Sequence, residues 1–432
     1  MTPLRNPSGA TEETYKMSLS QTCIVIARVF DLLKRHFRCL DESGDVLPYD
    51  PASMASYVPL QKQTVFTPGH KSYRIPALHF RPEPKVFLAF AEERIDNVDE
   101  NAESLVMRRG VFNEVSREVE WGQTETLHTA QLQGYRSMNP CPVFDEETKT
   151  LFLFFIAVEG HISEMYQIKN KKNLVHLCYI TSKDEGRTWG GVIDLTETVI
   201  GKTHKEWATF AVGPGHGLQL QDEFQTLIIP AYAYIIRGAN ECPKPQAFCF
   251  ISQDHGHSWS IGGYIQEENV VECQMECIES RGKSFLYCNA RTNQGMRVQA
   301  VSHNCGQDFR EGKRVEKLTE PPFGCQGSII GFPSPTASSH PETWLLFSHP
   351  HNAGHRKDLG IYLNTSPANS DMWAEPVIIY KGPAAYSDLQ FMGLGPDNSP
   401  EFACLFECGT DSPYNEIAFT TFTLRHLYPD IK

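Results

Sequence analysis

Ser182-Lys183-Asp184-Glu185-Gly186-Arg187-Thr188-Trp189 returns 70 residues later as Ser252-Gln253-Asp254-His255-Gly256-His257-Ser258-Trp259. A worn third copy, Ser302-His303-Asn304-Cys305-Gly306-Gln307-Asp308-Phe309, follows after another 50 residues. The shared pattern is Ser-x-Asp-x-Gly-x-Ser/Thr-aromatic, and each copy follows a strand-like apolar run. Asp-x-Gly suits a tight turn: the carboxylate accepts backbone N–H bonds, and glycine takes a positive φ without steric cost. The aromatic residue is expected to pack beneath the sheet that the turn closes. The spacing is on the scale of propeller blades of four strands with variable loops. These copies read as folding devices, not as chemistry.

Outward from the repeats, the pattern stays β from residue 61 onward. Short runs rich in Val, Ile, Phe, Tyr and Leu recur at 86–91, 151–158, 174–181, 226–234, 247–252, 284–290, 296–302, 343–348, 359–363, 377–380, 402–406 and 417–424. Gly, Pro, Asn, Asp or Ser bound them, and long helical periods are scarce. Many short strands predict a sandwich, barrel or propeller, and the repeat selects the propeller. Composition agrees: hydrophobic residues make up 41% and charged residues 21% of 432, which excludes a mostly disordered chain. The net charge of −13 argues against a nucleic-acid backbone as the main partner. It leaves room for a small anion, because a local arginine cluster can override the global field. Thirteen cysteines form no Cys-x-x-Cys pair, and Cys273-x3-Cys277 has no matching histidines for zinc. They read as reduced core thiols. His204, His349, His351 and His355 show no metal spacing, and His216, in Gly213-Pro214-Gly215-His216-Gly217, reads as part of a tight turn. No metal or cofactor is expected.

Residues 1–60 differ. Leu19, Cys23, Ile26, Phe30, Leu33 and Phe37 fall on one face of a helix whose remaining surface carries Arg28, Lys34, Arg35, His36 and Arg38. Such a helix suits peripheral membrane association, or else packs on the neighbouring domain. Residues 41–60 read as a linker. The expected division is therefore 1–60, a helical N-terminal extension, and 61–432, the β domain. No run approaches the ~20 apolar residues of a membrane span, and the run Cys23-Ile24-Val25-Ile26-Ala27, stopped by Arg28, is too short for a signal peptide. A cytoplasmic or peripheral membrane location is expected.

The repeats resemble the Asp boxes of sialidases, and the resemblance extends along residues 61–428. Tyr73-Arg74-Ile75-Pro76, Ala89-Phe90-Ala91-Glu92-Glu93-Arg94, Met138-Asn139-Pro140-Cys141-Pro142, the 209–217 segment TFAVGPGHG, Pro230-Ala231-Tyr232-Ala233-Tyr234, Val271-Glu272-Cys273-Gln274, Asn289-Ala290-Arg291, the 358–364 segment DLGIYLN and Ala385-Tyr386-Ser387-Asp388-Leu389 occur in order. This set is similar to the vertebrate cytosolic and plasma-membrane (ganglioside) sialidases. The resemblance implies an all-β, six-bladed β-propeller with its site on the central axis. It also implies exo-α-sialidase activity on sialylated glycolipids and glycoproteins.

Sialic acid carries a carboxylate on its anomeric carbon, so a site for it needs fixed positive charge. The planar fork of arginine supplies that charge and binds carboxylate bidentately. By resemblance, Arg74, Arg291 and Arg356 are the carboxylate-binding triad, Glu407 orients Arg74, and Arg94 is a further substrate-contacting arginine near the entrance. A carboxylate nucleophile would be repelled by the substrate carboxylate in a low-dielectric site. Sialidases use a tyrosine instead, which needs a base at hand. Tyr386 and Glu272 match that pair, and Val270, Val271 and Cys273 around Glu272 suggest the partial burial that suits a base. Asp99 matches the acid/base aspartate; Asp96 and Glu100 are rivals by composition, and only the offset from Arg94 favours Asp99. Glu164, Tyr232 and Tyr234 match contacts to the glycerol and N-acetyl side, with Met138 and Asn139 near the same pocket. A binding propeller that has lost hydrolysis, a lectin, is the alternative. It would need the arginines but not Tyr386, Glu272 and Asp99 together.

Overall fold

The structure is a computed structural model that describes residues 55–336 and 340–431. The chain divides into Met1–Met54 and Ala55–Lys432. The amphipathic helix expected over 19–37, and the linker up to residue 54, lie outside the described residues. No described helix is long and apolar enough to cross a membrane.

Each apolar run read from the sequence lies within a strand, to within one residue at its ends. The strands form antiparallel sheets in sequence order. The first holds Ser72–Arg81, Val86–Arg94, Ala102–Asn113 and Glu118–Trp121; the second holds Tyr135–Asp145, Thr150–Glu159, Val175–Ser182 and Ile193–Asp194. The third holds Trp207–Val212, Leu227–Ile235, Lys244–Ser252 and Ser260–Ile261; the fourth holds Val270–Ser280, Lys283–Thr292, Met296–Ser302 and Lys313–Thr319. The last sheet has eight strands and is built around the long strand Val377–Leu394. Residues up to Pro383 pair with Lys357–Asn364, and those from Ala384 onward pair with Pro400–Cys408. Gln63–Phe66 joins the C-terminal strand Glu416–Thr423, so the two ends of the β unit meet in one sheet. Ser56–Tyr57 adds in parallel to Val377–Ile378. The architecture is all-β and propeller-like.

The repeats sit between the third and fourth strands of the second, third and fourth sheets. In the first, Asp184 accepts from the Thr188 N–H at 2.8 Å and the Thr188 hydroxyl at 2.6 Å, while Ser182 Oγ accepts from the Gly186 N–H at 2.9 Å. The second repeats this with Asp254, Ser258, Ser252 and Gly256. The worn third copy keeps the geometry by exchanging roles: Asn304 Nδ2 donates to Asp308 at 2.9 Å, where the other copies donate from hydroxyl to aspartate. Trp259 and Phe309 are buried. Gly256, at φ 83°, lies against the preceding sheet, and a Cβ there would come within 2.3 Å of the Phe152 ring. The turn is therefore a spacer between sheets.

The first strand of every sheet was not legible as an apolar run. These strands meet one another through buried polar side chains. Asp388 accepts from His216 Nδ1 (2.7 Å), the Leu78 N–H (2.8 Å) and Ser328 Oγ (2.8 Å). Gln274 donates to the carbonyls of Pro214 and His216, and Gln326 exchanges two hydrogen bonds with Ser387. These inner strands are also bulged: pairing register shifts between Arg74 and Ala77, Met138 and Cys141, Trp207 and Phe210, Val270 and Cys273, and Ala384 and Ser387. A bulge breaks side-chain alternation and re-aims a residue. Glu272 and Tyr386 lie inside two of these bulges.

Candidate active site

The start of each first strand, the end of each second strand and the loop that follows lie at one end of the fold. That end holds a cavity of about 430 Å³. All the residues assigned to the site by resemblance line it except Glu407, which lies fully buried beside it. The Asp-x-Gly turns follow third strands and so sit at the opposite end.

Tyr386 is at the centre. Its hydroxyl donates to Glu272 Oε1 at 2.5 Å and accepts from Arg291 Nη1 at 2.9 Å. Arg291 Nη1 also donates to Glu272 Oε2 at 2.6 Å. Burial, and then the charge of Glu272, hold the Tyr386 hydroxyl well above its ordinary pKa, against the pull of Arg291, Arg356 and Arg74. The phenol is thus neutral at rest and can ionise only by passing its proton to a neighbour, and Glu272 is in contact.

Arg74 is anchored from below. Glu407 accepts from Arg74 Nε (2.9 Å) and Nη2 (3.2 Å), and from the backbone N–H groups of Ile75 (2.9 Å) and Tyr386 (3.1 Å). One carboxylate therefore holds an arginine and two bulges together. Burial opposes the charge on Arg74, but Glu407, with Tyr414 and Tyr386, outweighs it, and the arginine stays protonated. Its guanidinium lies 4.0 Å from the ring centroid of Tyr414, a cation–π contact. Arg356 completes the group, donating to the Tyr414 hydroxyl (3.1 Å) and to the Gly324 carbonyl (2.9 Å).

Arg94 was expected near the entrance, but it is 1% exposed. Its guanidinium is forked between Glu92 Oε2 (2.5 and 2.9 Å) and Asp99 Oδ1 (2.6 Å), which draws it into the wall. Asp99 opens a short helical turn, Asp99–Asn101, and its carboxylate faces the cavity. Burial alone would raise its pKa, but Arg94 and Arg74 outweigh that and hold it below the ordinary value. Its rival Asp96 is spent on its own loop, accepting from the Val98 N–H and Asn101 Nδ2. Glu100 does line the cavity.

Glu164 begins the helix Glu164–Asn170, capped by Ser163, across from the arginines. Protein surrounds its carboxyl, and Glu272 adds like charge; together they push its pKa up to about 7, against a hydrogen bond from Tyr234. The residue still opens onto the cavity and is solvent-accessible. The push is therefore weaker in a wet cup than in one filled by a ligand. Tyr232 and Tyr234 line the same side. Met138 and Asn139 sit in a bulge, with Asn139 at φ 57°. Asn139 spends its side-chain amide on the Val212 carbonyl at 3.2 Å, so it shapes the wall.

Three residues of the site were not identified from the sequence. Glu92, fully buried, holds Arg94 and also accepts from the Asn139 N–H at 2.7 Å. Its place two residues before Arg94, on the same strand face, was the available signal. Arg136 donates to the Asp99, Gly160 and Ile162 carbonyls, tying the loop of Asp99 to the segment that leads into Glu164. Tyr414 comes from a loop with no pattern. His216 lies in the polar network below and does not line the cavity. Among the described residues no group of three His, Cys, Asp or Glu could hold a metal ion.

A propeller-like scaffold that converges three arginines and a tyrosine in contact with a glutamate on one cup is suited to hold an anionic sugar, as the centre of a glycosidase for such a sugar requires. Residues 85–396 match the BNR repeat-like domain family. The chain is 50% identical over 379 residues to Sialidase-2 of Mus musculus, covering 88% of this chain and 99% of that protein. It is 41% identical over 393 residues to Sialidase-3 of Homo sapiens, covering 82% and 90%. A Hadza microbial sialidase of known structure shares the fold, with a TM-score of 0.70 at 22% identity, covering 89% of this chain and 71% of that one. The chain belongs to the sialidase family of glycoside hydrolases, and its activity is that of an exo-sialidase.

Proposed function

We propose that the protein is a retaining exo-α-sialidase in which Tyr386 is the nucleophile, Glu272 its base and Asp99 the acid/base. The contact of Tyr386 with Glu272 at 2.5 Å carries the reading. In the first step Arg74, Arg291 and Arg356 hold the substrate carboxylate, and Glu272 takes the phenolic proton as Tyr386 Oη bonds to the anomeric carbon. Asp99, ionised at rest beside Arg94 and Arg74, takes up a proton from solvent as the substrate carboxylate offsets Arg74 and displaces water, and gives it to the departing glycosidic oxygen. In the second step the Asp99 carboxylate takes a proton from water, the water oxygen bonds to the anomeric carbon, and Tyr386 leaves with the proton from Glu272. Arg94 and Glu92 set the position of Asp99, and Glu164, Tyr232 and Tyr234 face the glycerol and N-acetyl groups beside Met138 and Asn139.

Tyr386→Phe is expected to lose nearly all turnover while still binding a sialic acid analogue. Wild-type turnover in that variant would reject the assignment.

The eight-stranded sheet reads best as two blades sharing the strand Val377–Leu394, which makes six blades in all. Sialylated glycolipids and glycoproteins are the proposed substrates, with no nucleic-acid partner and no required metal. Residues 55–432 are proposed as the catalytic propeller, because Ser56–Tyr57, inside the linker expected over 41–60, pairs with Val377–Ile378. Residues 1–54 are proposed as a helical extension for peripheral membrane association at the cytoplasmic side. Co-sedimentation with anionic liposomes tests this against a chain starting at residue 55, which keeps the strand Ser56–Tyr57. Equal sedimentation of the two would reject it.

A further inference from the structure

Away from the cup wall, Arg297, Glu320 and His349 form a buried charged cluster that the mechanism does not use. Arg297 and Glu320 have fully buried side chains, and His349 is 1% exposed. None of the three lines the cavity. Glu320 Oε1 accepts from Arg297 Nη1 and from the Thr292 N–H, each at 3.1 Å. Glu320 Oε2 accepts from the Cys325 N–H at 2.9 Å and His349 Nε2 at 3.0 Å. Arg297 Nη1 also donates to the Cys325 carbonyl at 2.7 Å. A buried ion pair adds little to stability over a well-packed apolar core, so its use is sought in what it holds in place.

It holds a turn. Residues 320–325 are Glu-Pro-Pro-Phe-Gly-Cys, closed by the Gly324 N–H on the Pro321 carbonyl at 2.8 Å, with Phe323 at φ 65° and Gly324 at φ 71°. In that conformation the Phe323 carbonyl accepts from Arg291 Nε (3.2 Å) and Nη2 (2.7 Å). The Gly324 carbonyl accepts from Arg356 Nη2 (2.9 Å). Two arginines, one on the strand Lys283–Thr292 and one just before the strand Lys357–Asn364, thus take their aim from neighbouring carbonyls of one turn. Thr292, the residue after Arg291, is bound by the same Glu320. There is no slack: a Cβ on Gly324 would lie 2.3 Å from the Thr292 carbonyl and 2.9 Å from Arg291 Cγ.

We propose that Glu320 is a positioning residue that locks the 321–325 turn, so that the Phe323 and Gly324 carbonyls aim Arg291 and Arg356 at the substrate carboxylate. This rests on the reading of those arginines as a carboxylate clamp. With Arg291 Nε and Nη2 committed to the turn, only its Nη1 edge faces Tyr386 and Glu272. Loosening the turn would let the guanidinium rotate and would weaken recognition of the acid group specifically.

The test compares binding of an unsaturated sialic acid analogue with binding of its methyl ester, in the full chain. The wild type is expected to prefer the free acid by tenfold or more. Glu320→Gln is expected to lose at least fivefold of that preference in the folded, binding-competent fraction, with ester affinity unchanged within twofold. Glu320→Asp keeps the charge opposite Arg297 but is one methylene too short to hold Thr292 and Cys325 together. It should show the same loss, and it keeps the test open if the glutamine variant does not fold. A role confined to stability would lower the folded fraction and leave the acid-to-ester ratio of what remains at the wild-type value. That result in either folded variant overturns the proposal, as does failure of both to fold, which would make the cluster a support of the whole sheet. Absence of acid preference in the wild type would instead defeat the carboxylate clamp itself.

Discussion

Replacing Glu407 by glutamine strikes the joint of the site without touching substrate. The carboxylate accepts four N–H bonds at 2.9–3.2 Å, two from Arg74 and one each from the Ile75 and Tyr386 backbones. An amide has one acceptor oxygen. Placed toward Arg74 Nε and Ile75, it turns its NH2 group against two donors, Arg74 Nη2 and the Tyr386 N–H. Arg74 is 6% exposed, so it cannot recover the lost charge from water. Removing one partner of such a pair costs about 3–5 kcal/mol. Urea denaturation should report a loss of that size, and turnover should fall with it, because the Tyr386 bulge loses its anchor. In an Arg74→Met background the stranded charge is gone, and Glu407→Gln should then cost on the order of 1–3 kcal/mol less. A loss below about 1 kcal/mol in the single variant, or the same loss in both backgrounds, would refute the view of Glu407 as the common anchor.

Alanine at Arg74, Arg291 or Arg356 should weaken inhibitor binding by about 1.5–3 kcal/mol for each arginine, roughly ten- to hundredfold, in isothermal titration. Asp184→Ala removes the acceptor of two Thr188 hydrogen bonds at the far end of the fold, and should cost about 0.5–2 kcal/mol in denaturation with turnover per folded molecule unchanged. Glu164 is neutral below its raised pKa of about 7 and anionic above it. An anionic substrate is repelled only by the ionised form, so KM should rise as pH climbs through that region, and Glu164→Gln should flatten the rise in a KM–pH profile.

The sequence and the structure part company along a physical line. Strands with an apolar body, such as Thr150–Glu159 and Leu227–Ile235, announce themselves because both faces are buried against other sheets. The innermost strands do not. Ser72–Arg81, Val270–Ser280 and the Tyr386 segment carry charged site residues, prolines and bulges, so neither an apolar run nor strict alternation survives in them. What made those segments readable was motif resemblance, which located Arg74, Glu272 and Tyr386. It could not show that Arg94 is buried in the wall or that Asn139 is spent on backbone. The third repeat looked eroded because Asn304 and Asp308 replace aspartate and hydroxyl. The structure reports a donor–acceptor exchange that preserves the turn. Tyr414, Arg136 and Glu320 serve through contacts 58, 37 and 28 residues away in sequence, a kind of partnership that no local pattern encodes.

The covalent role proposed for Tyr386 is the centre of the mechanism, and trapping tests it most directly. A fluorinated sialic acid derivative, which forms the glycosyl-enzyme but turns over slowly, should leave a sialyl adduct when the digested protein is mapped by tandem mass spectrometry. The account predicts that adduct on the Tyr386 phenol, with its loss in Tyr386→Phe and recovery of activity as it hydrolyses. An adduct on Glu272 or Asp99, or complete turnover to product of inverted anomeric configuration with no adduct, would contradict it.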